Sequence, residues 1–114
     1  MTAERFGLSP LVLKQIIAKA GSLPAIERVI LYGSRARGVY RAGSDIDIAI
    51  DGREVGEHEA MLLRNLLEDT SIVFPIDVSA IPALDPASRF AQRIANDGVT
   101  IFDRTRTPSA FTTR

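Results

Sequence analysis

The chain has 114 residues, of which 14 are basic and 14 acidic, with one histidine and no cysteine. This length predicts a single domain, and the composition excludes disulfides, zinc sites built on cysteine and metal centres built on several histidines. Because the formal net charge is zero, no global field draws the chain to nucleic acid or to an anionic membrane, and we expect direct binding to neither.

The apolar pattern predicts helices and strands that alternate along the chain. Ser9-Pro10 is typical of a helix start, and apolar residues then recur at helical spacing until Gly21. The later predicted elements are, in order, a strand over 29–32, a helical turn over 34–38, a strand over 45–51, a helix over 55–68, a strand over 76–81, a helix started by Asp85-Pro86 and stopped at 96–98, and a strand over 99–102.

This interleaving predicts an α/β (α+β) domain, with a small mixed β-sheet flanked by helices in two or three layers. We place the domain over residues 1–102. Residues 103–114 lack periodicity and are rich in Thr, Arg, Ser and Pro, so they are predicted to form a flexible C-terminal tail. A cytoplasmic location is expected, since no apolar run approaches the roughly 18 residues of a membrane span and no signal-peptide pattern opens the chain.

Gly33-Ser34 follows the first predicted strand and precedes the helical turn. Glycine permits the backbone to approach a bulky anion closely. A helix start offers unpaired N–H groups and the positive end of its dipole, to which Ser34 adds a hydroxyl. Such a corner suits a phosphate, although a glycine–serine pair is also typical of an ordinary helix cap.

Asp45 and Asp47 alternate with isoleucines in the second predicted strand, so both carboxylates point to one face while the isoleucines point to the core. Asp77, between two apolar residues of the third strand, is expected to project from the same side. If these strands are neighbours, three carboxylates meet in the oxygen-rich arrangement that hard divalent cations require. The alternative is a half-exposed strand with solvated acids, and for Asp77 a strand-end acid or ion-pair partner.

Four arginines and no acid lie between residues 28 and 44, namely Arg28, Arg35, Arg37 and Arg41. Guanidinium groups match phosphate oxygens well, so this basic stretch beside the carboxylates suits a metal–triphosphate complex. Arginine is the usual cation of this chain, however, and Arg35 and Arg37 also fit a solvated helical face.

Together, Gly33-Ser34, Arg35-Ala36-Arg37-Gly38 and Ser44-Asp45-Ile46-Asp47 resemble the signature of the DNA polymerase β-like nucleotidyltransferase superfamily. The short length is similar to its minimal nucleotidyltransferase (MNT) branch, whose members are often paired with a HEPN-domain protein as antitoxin and toxin. The resemblance extends over almost the whole chain and implies a polymerase β-like nucleotidyltransferase core around the small mixed sheet.

The resemblance also implies a role for each site residue. Asp45, Asp47 and Asp77 would be the catalytic carboxylates and the ligands of two Mg²⁺ ions, and Asp77 would help to deprotonate the attacking hydroxyl. Gly33 and Ser34 would hold the β- and γ-phosphates of the donor, for which ATP is expected. The full set of predicted nucleotide-binding residues is Gly33, Ser34, Arg35 and Arg37. Because three near carboxylates repel one another without metal, Mg²⁺ is predicted to stabilise the fold.

We therefore expect an Mg²⁺-dependent nucleotidyltransferase that moves AMP, or another nucleotidyl group, from an NTP to a hydroxyl. Little chain is left beyond the catalytic core, so a partner is expected to supply the acceptor. The resemblance points to a HEPN toxin as that partner, AMPylated within a hetero-oligomer in which this chain is the antitoxin. Two alternatives are a non-catalytic antitoxin that only covers the toxin, and a nucleotidyltransferase that acts on a small molecule.

Overall fold

The computed structural model describes residues 3–105 and 112–113. The α-helices of this part of the chain are α1 (Pro10–Gly21), α2 (Gly33–Arg37), α3 (Glu57–Glu68) and α4 (Arg89–Asp97). The strands are β1 (Arg28–Tyr32), β2 (Ile46–Asp51), β3 (Ile76–Ala80), β4 (Val99–Asp103) and β5 (Thr112–Thr113). Short 3-10 turns lie over Ala3–Phe6 and Ile81–Ala83. None of the helices described is long and apolar enough to cross a membrane.

The strands form one mixed sheet in the order β3-β2-β1-β4-β5. The central strand β1 pairs antiparallel with β2 on one side and with β4 on the other, while β2 pairs parallel with β3. The short β5 pairs antiparallel with β4. This arrangement confirms the predicted mixed sheet flanked by helices.

One face of the sheet carries the main core. Ile46, Ile48 and Ile50 of β2 all point into it, as their alternation predicts, and each is fully buried. Two helices, α1 and α3, cover these isoleucines through a set of buried apolar residues, namely Leu13, Ile16, Ala20, Ala60, Leu63 and Leu67. Each fully buried leucine or isoleucine contributes about 1.5–3 kcal/mol to folding, so this face supplies most of the hydrophobic stabilisation.

The opposite face carries a smaller cluster, which joins the sheet to α4. Its buried members are Ile30, Tyr32, Ala49 and Ile94. Tyr32 is 1% exposed. Because side chains alternate along a strand, Asp47 projects from the same face as Ala49. The acidic face of β2 is therefore the face that α4 covers.

α4 begins three residues later than the sequence predicts. The expected start was Asp85-Pro86, whereas the helix begins at Arg89 with Ser88 as its N-cap, and the Ser88 hydroxyl accepts a hydrogen bond from the N–H of Ala91. The Asp85 carboxylate instead accepts from the N–H of Ala87 at 2.9 Å. Both residue types can cap a helix. Here Asp85 hydrogen-bonds within a separate turn before the helix, and Ser88 is the N-cap of α4.

The first residues of the predicted tail belong to the folded sheet. Asp103 ends β4, and the main-chain N–H of Arg104 donates to the carbonyl of Glu27 at 2.8 Å. The guanidinium of Arg104 donates to the carbonyl of Ile26 at 3.0 Å. The folded domain therefore continues past the boundary predicted after residue 102, and residues 106–111 and 114 lie outside the described part of the chain.

Candidate active site

The turn between β1 and α2 brings the main chain against a carboxylate. α2 begins at Gly33, whose φ of +78° lies in the left-handed region that favours glycine. A Cβ added at Gly33 would lie 2.5 Å from Oδ2 of Asp47 and 3.4 Å from its Cγ. No side-chain oxygen caps the start of α2, and Ser34 is the second residue of this helix. Glycine is thus what allows the turn and the carboxylate to face each other.

The predicted carboxylates lie on one side of the sheet. Asp47 is in register with Tyr32 of β1 and with Asp77 of the parallel strand β3. Because residues in register project from the same face, at a strand spacing of about 4.8 Å, Asp47 and Asp77 are neighbours. Asp45 lies two residues before Asp47 and is exposed, as is Asp77, whereas Asp47 is half-buried.

The charges of these acidic groups act on one another. Burial raises the pKa of Asp47 above its ordinary value, and the negative charges of Asp77 and Asp45 raise it further. The positive charge of Arg93 acts in the opposite direction. The negative charges of the three aspartates thus exceed the positive charge of Arg93, and an excess of negative charge favours binding of a cation.

A cleft of about 230 Å³ opens at the Gly33 turn. The residues that line it are Gly33, Ser34, Arg37, Asp47, Arg93 and Asp97. Three of the four predicted nucleotide-binding residues are in this set, together with one of the three predicted carboxylates. Two larger clefts, of about 390 and 280 Å³, lie elsewhere, and neither brings two carboxylates together. The chemistry therefore points to the smaller cleft.

Arg35 does not line this cleft, which corrects its assignment to the nucleotide. Its side chain is buried, and its guanidinium lies 4.6 Å from the ring centroid of Phe74 and 5.3 Å from that of Tyr40. The same group donates at 2.8–3.1 Å to three main-chain carbonyls, those of Phe6, Gly7 and Ser44. These donors are used within the fold, and the alternative of a solvated helical face for Arg35 is wrong as well.

Two residues of the cleft, Arg93 and Asp97, were not predicted. They lie one turn apart on α4, so they share a face of that helix. Oδ2 of Asp97 lies 3.9 Å from Nε of Arg37 across the cleft. One signal in the sequence was available, because an acid at the last position of a helix is unfavourable beside the negative end of the dipole and needs a nearby cation.

Asp47, which lines the cleft, and Asp77, which is its neighbour on β3 but does not line the cleft, are oxygen donors of the kind that a hard divalent cation prefers. Among residues 3–105, no three His, Asp or Glu side chains are already gathered into a metal centre. Mg²⁺, however, is usually held by one or two carboxylates plus substrate phosphates and water rather than by an all-protein cage. Asp47 and Asp77, which are in register on neighbouring strands, could supply such a pair of oxygen ligands. Burial, and then the charges of Asp77 and Asp45, raise the pKa of Asp47.

Tyr32 of β1 lies beside Asp47, with which it is in register. Burial raises the pKa of its phenol above 10.0, and its hydroxyl lies 3.4 Å from Oγ of Ser79, two residues beyond Asp77 on β3. The phenol therefore stays protonated at neutral pH. Tyr32 thus contributes a neutral, buried side chain beside Asp47.

Comparison with known proteins assigns this chain to a family of nucleotidyltransferases. Residues 14–107 match the family described as Polymerase beta, Nucleotidyltransferase. Since the match includes most of the chain, the chain belongs to the polymerase β nucleotidyltransferase family, which confirms the resemblance seen in the sequence. Among curated proteins, none matches this sequence.

Solved structures share the same fold. One is a toxin–antitoxin complex with AMP-PNP, in which a chain 19% identical superimposes with a TM-score of 0.67 over 80% of this chain and 73% of its own length. Another is the toxin–antitoxin MntA–HepT, with a TM-score of 0.63 at 17% identity, over 87% of this chain and 76% of the other. At these identities the similarity shows the polymerase β-like fold alone.

Proposed function

We propose that the chain transfers a nucleotidyl group, AMP from ATP in the first instance, to a hydroxyl group with Mg²⁺ as cofactor. The observation that carries this proposal is the contact between the Gly33 turn and Asp47. A phosphate needs close approach of the main chain, and a metal–phosphate complex needs a carboxylate beside it. Membership of the nucleotidyltransferase family supports the same class of reaction.

The reaction is a displacement at the α-phosphorus of the donor. The acceptor oxygen forms a new bond to that phosphorus, while the bond from phosphorus to the oxygen that bridges to the β-phosphate breaks. The electron pair of the broken bond leaves with pyrophosphate. The hydroxyl proton passes to a carboxylate, for which we propose Asp77, and from there to water. Mg²⁺, when bound, supplies charge neutralisation on the phosphates and lowers the pKa of the acceptor hydroxyl.

The residues of the chain bind and orient the donor. In this proposal the Gly33 turn admits the β- and γ-phosphates and the Ser34 hydroxyl donates to them. Asp45, Asp47 and Asp77 would hold the two metal ions. The guanidinium of Arg37, which lines the cleft, would add charge-assisted hydrogen bonds to phosphate.

We further propose that a protein partner carries the acceptor hydroxyl. The similar structures named above are toxin–antitoxin complexes, one of them with AMP-PNP, an analogue of ATP. That these structures are toxin–antitoxin complexes supports a hetero-oligomer with a toxin. In our proposal this chain is the antitoxin and modifies a hydroxyl, such as that of a tyrosine, on a HEPN-type toxin. ATP as donor is supported by the same comparison.

The test is transfer of label from ATP labelled on the α-phosphate. The protein is incubated with Mg²⁺, the labelled ATP and a lysate of its source cell. One protein of the lysate should become labelled with the wild type. Asp47→Asn should reduce labelling by at least about a hundredfold, since a lost metal ligand removes several kcal/mol of transition-state stabilisation. Asp69→Asn is the matched control, because Asp69 is exposed at the end of α3, away from the cleft.

Other outcomes separate the alternatives. If none of the four labelled NTPs labels any protein while the wild type still captures a partner, the enzymatic proposal is wrong and the chain is a non-catalytic antitoxin. Label that appears only on a small molecule would instead identify a small-molecule nucleotidyltransferase. Equal labelling by Asp47→Asn and the wild type would show that the cleft is not the site.

A further inference from the structure

Arg93 has no hydrogen-bond or ion-pair partner in the described part of the chain, and it lies where the proposed donor would bind. Within residues 3–105, no hydrogen bond and no ion pair within 4.0 Å holds its side chain, and it lines the cleft with Asp47. Several other arginines are committed to the fold: Arg28 pairs with Asp51, Arg64 donates to the carbonyl of Val78, and Arg104 donates to that of Ile26. Arg93 is therefore free to bind a ligand.

Its position is fixed by the packing of α4. The next residue, Ile94, is buried in the cluster with Tyr32, which anchors the helix to the sheet. Arg93 therefore lies on the side of the helix that borders the cleft, and it lines this cleft together with Gly33. A rigid helix that presents an unpaired guanidinium to a phosphate-sized cleft is suited to bidentate contact with phosphate oxygens.

The second cation of the cleft, Arg37, is already engaged, but weakly. Its Nε lies 3.9 Å from Oδ2 of Asp97, at the outer limit for an ion pair, and its side chain is 55% exposed. Asp97 is the last residue of α4, where an acidic side chain is unfavourable beside the negative end of the helix dipole. Arg37 compensates that charge in the free protein, so a phosphate that takes Arg37 must compete with Asp97.

We propose that Arg93 binds the triphosphate of the donor nucleotide and that Asp97 competes with the triphosphate for Arg37. This inference rests on the proposed function, since it deepens the description of the same site. When the triphosphate enters, Arg93 gains its first hydrogen-bond partners, and Arg37 exchanges a carboxylate for a phosphate. The two α4 residues thus have opposite effects on affinity: Arg93 strengthens phosphate binding and Asp97 weakens it.

The experiment measures binding of inorganic tripolyphosphate by calorimetry, with and without Mg²⁺. This probe has no base and no ribose, so it reports the phosphate subsite alone. Arg93→Ala should weaken binding about tenfold or more, the loss expected for hydrogen bonds to a charged group, and Arg93→Lys should recover part of it. Arg89→Ala is the matched control, because Arg89 is an exposed arginine one turn earlier on α4. Asp97→Asn should tighten binding about threefold or more.

Several results would overturn the inference. It is wrong if Arg93→Ala and Arg89→Ala bind the probe equally well, or if the wild type does not bind it. It is also wrong if Asp97→Asn weakens binding; a loss seen only with Mg²⁺ would make Asp97 a metal ligand. Melting curves of each variant show that the fold is intact.

Failure of the proposed function can be distinguished from failure of this inference. If tripolyphosphate binding depends on Arg93 but the protein never transfers label, the proposed nucleotidyl transfer is wrong and the phosphate subsite is supported. If label is transferred but Arg93→Ala has an unchanged KM for ATP, the proposed transfer is supported and the role of Arg93 is wrong.

Discussion

Replacing Arg35 by alanine is expected to destabilise the fold by about 3–5 kcal/mol, because this side chain joins segments that are distant in sequence. Its guanidinium donates to main-chain carbonyls near the start of the chain, at Phe6 and Gly7, and just before β2, at Ser44. A second contribution comes from its place between the rings of Tyr40 and Phe74.

The magnitude follows from these contacts. The carbonyl of Phe6 is bonded in a buried setting, and leaving it unpaired costs about 1–3 kcal/mol, while the other carbonyls recover part of their loss from water. The two cation–π contacts add about 0.5–1 kcal/mol each. The sum is a large fraction of the 5–15 kcal/mol that holds an ordinary domain together, and it corresponds to a fall in Tm of roughly 10–20 °C.

Urea titration followed by circular dichroism is the assay, with Arg37→Ala as the control. Arg37 lies two residues away on the same helix and is 55% exposed, so its removal should change the free energy of unfolding by less than about 0.5 kcal/mol. Arg35→Lys should be intermediate, because an ammonium group cannot reproduce the planar fork of donors. If Arg35→Ala has near-normal stability but no longer binds nucleotide, then Arg35 is a nucleotide-binding residue and does not stabilise the fold as proposed.

Three further predictions concern the cleft and the chain end. Gly33→Ala should abolish Mg²⁺-ATP binding in a calorimetric titration, whereas Gly38→Ala should not. Both glycines have a positive φ, but only at Gly33 would the added Cβ meet a carboxylate. Equal losses of binding in the two variants would instead be explained by backbone strain of about 1–2 kcal/mol. Because the pKa of Asp47 is raised above its unfolded value, its ionisation costs stability as pH rises through the folded pKa. In metal-free buffer, the Tm of Asp47→Asn should therefore exceed that of the wild type at neutral pH, and the two values should converge below a pH of about 4. Mg²⁺ should raise the Tm of the wild type only. If Mg²⁺ changes the Tm of neither protein, the proposed cation site is wrong. Arg104→Ala should lower the free energy of unfolding by about 1–2 kcal/mol, because its guanidinium donates to carbonyls before β1. Unchanged urea midpoints would show that the Arg104 side chain adds nothing to the stability of the fold.

The sheet and the proximity of the Gly33-Ser34 turn to Asp47 could be predicted because the sequence signals for both are local. Strict alternation in 46–51 fixes which side chains of β2 are buried, whatever the rest of the chain does. The Gly33-Ser34 turn and Asp47 lie close in sequence, at the ends of strands that pair antiparallel. A short motif can therefore specify both partners of the contact that carries the proposal.

The parts that sequence reasoning missed depend on contacts between distant segments. Whether Arg35 or Arg37 faces the cleft on a five-residue helix is decided by carbonyls that the chain brings back from other regions. Arg93 and Asp97 reach the site only because α4 returns across the sheet. No local pattern contains that information. The late start of α4 has a different cause, since two capping residues compete and both alternatives are locally plausible.

The most direct test of the central claim is a crystal structure of the protein with Mg²⁺ and a non-hydrolysable ATP analogue. We expect the triphosphate against the Gly33-Ser34 turn, Mg²⁺ at about 2.0–2.1 Å from a carboxylate oxygen of Asp47, and the guanidinium of Arg93 within hydrogen-bond distance of a phosphate oxygen. A nucleotide bound outside this cleft, or a triphosphate in it with no metal at Asp47, would show that the proposed site is wrong.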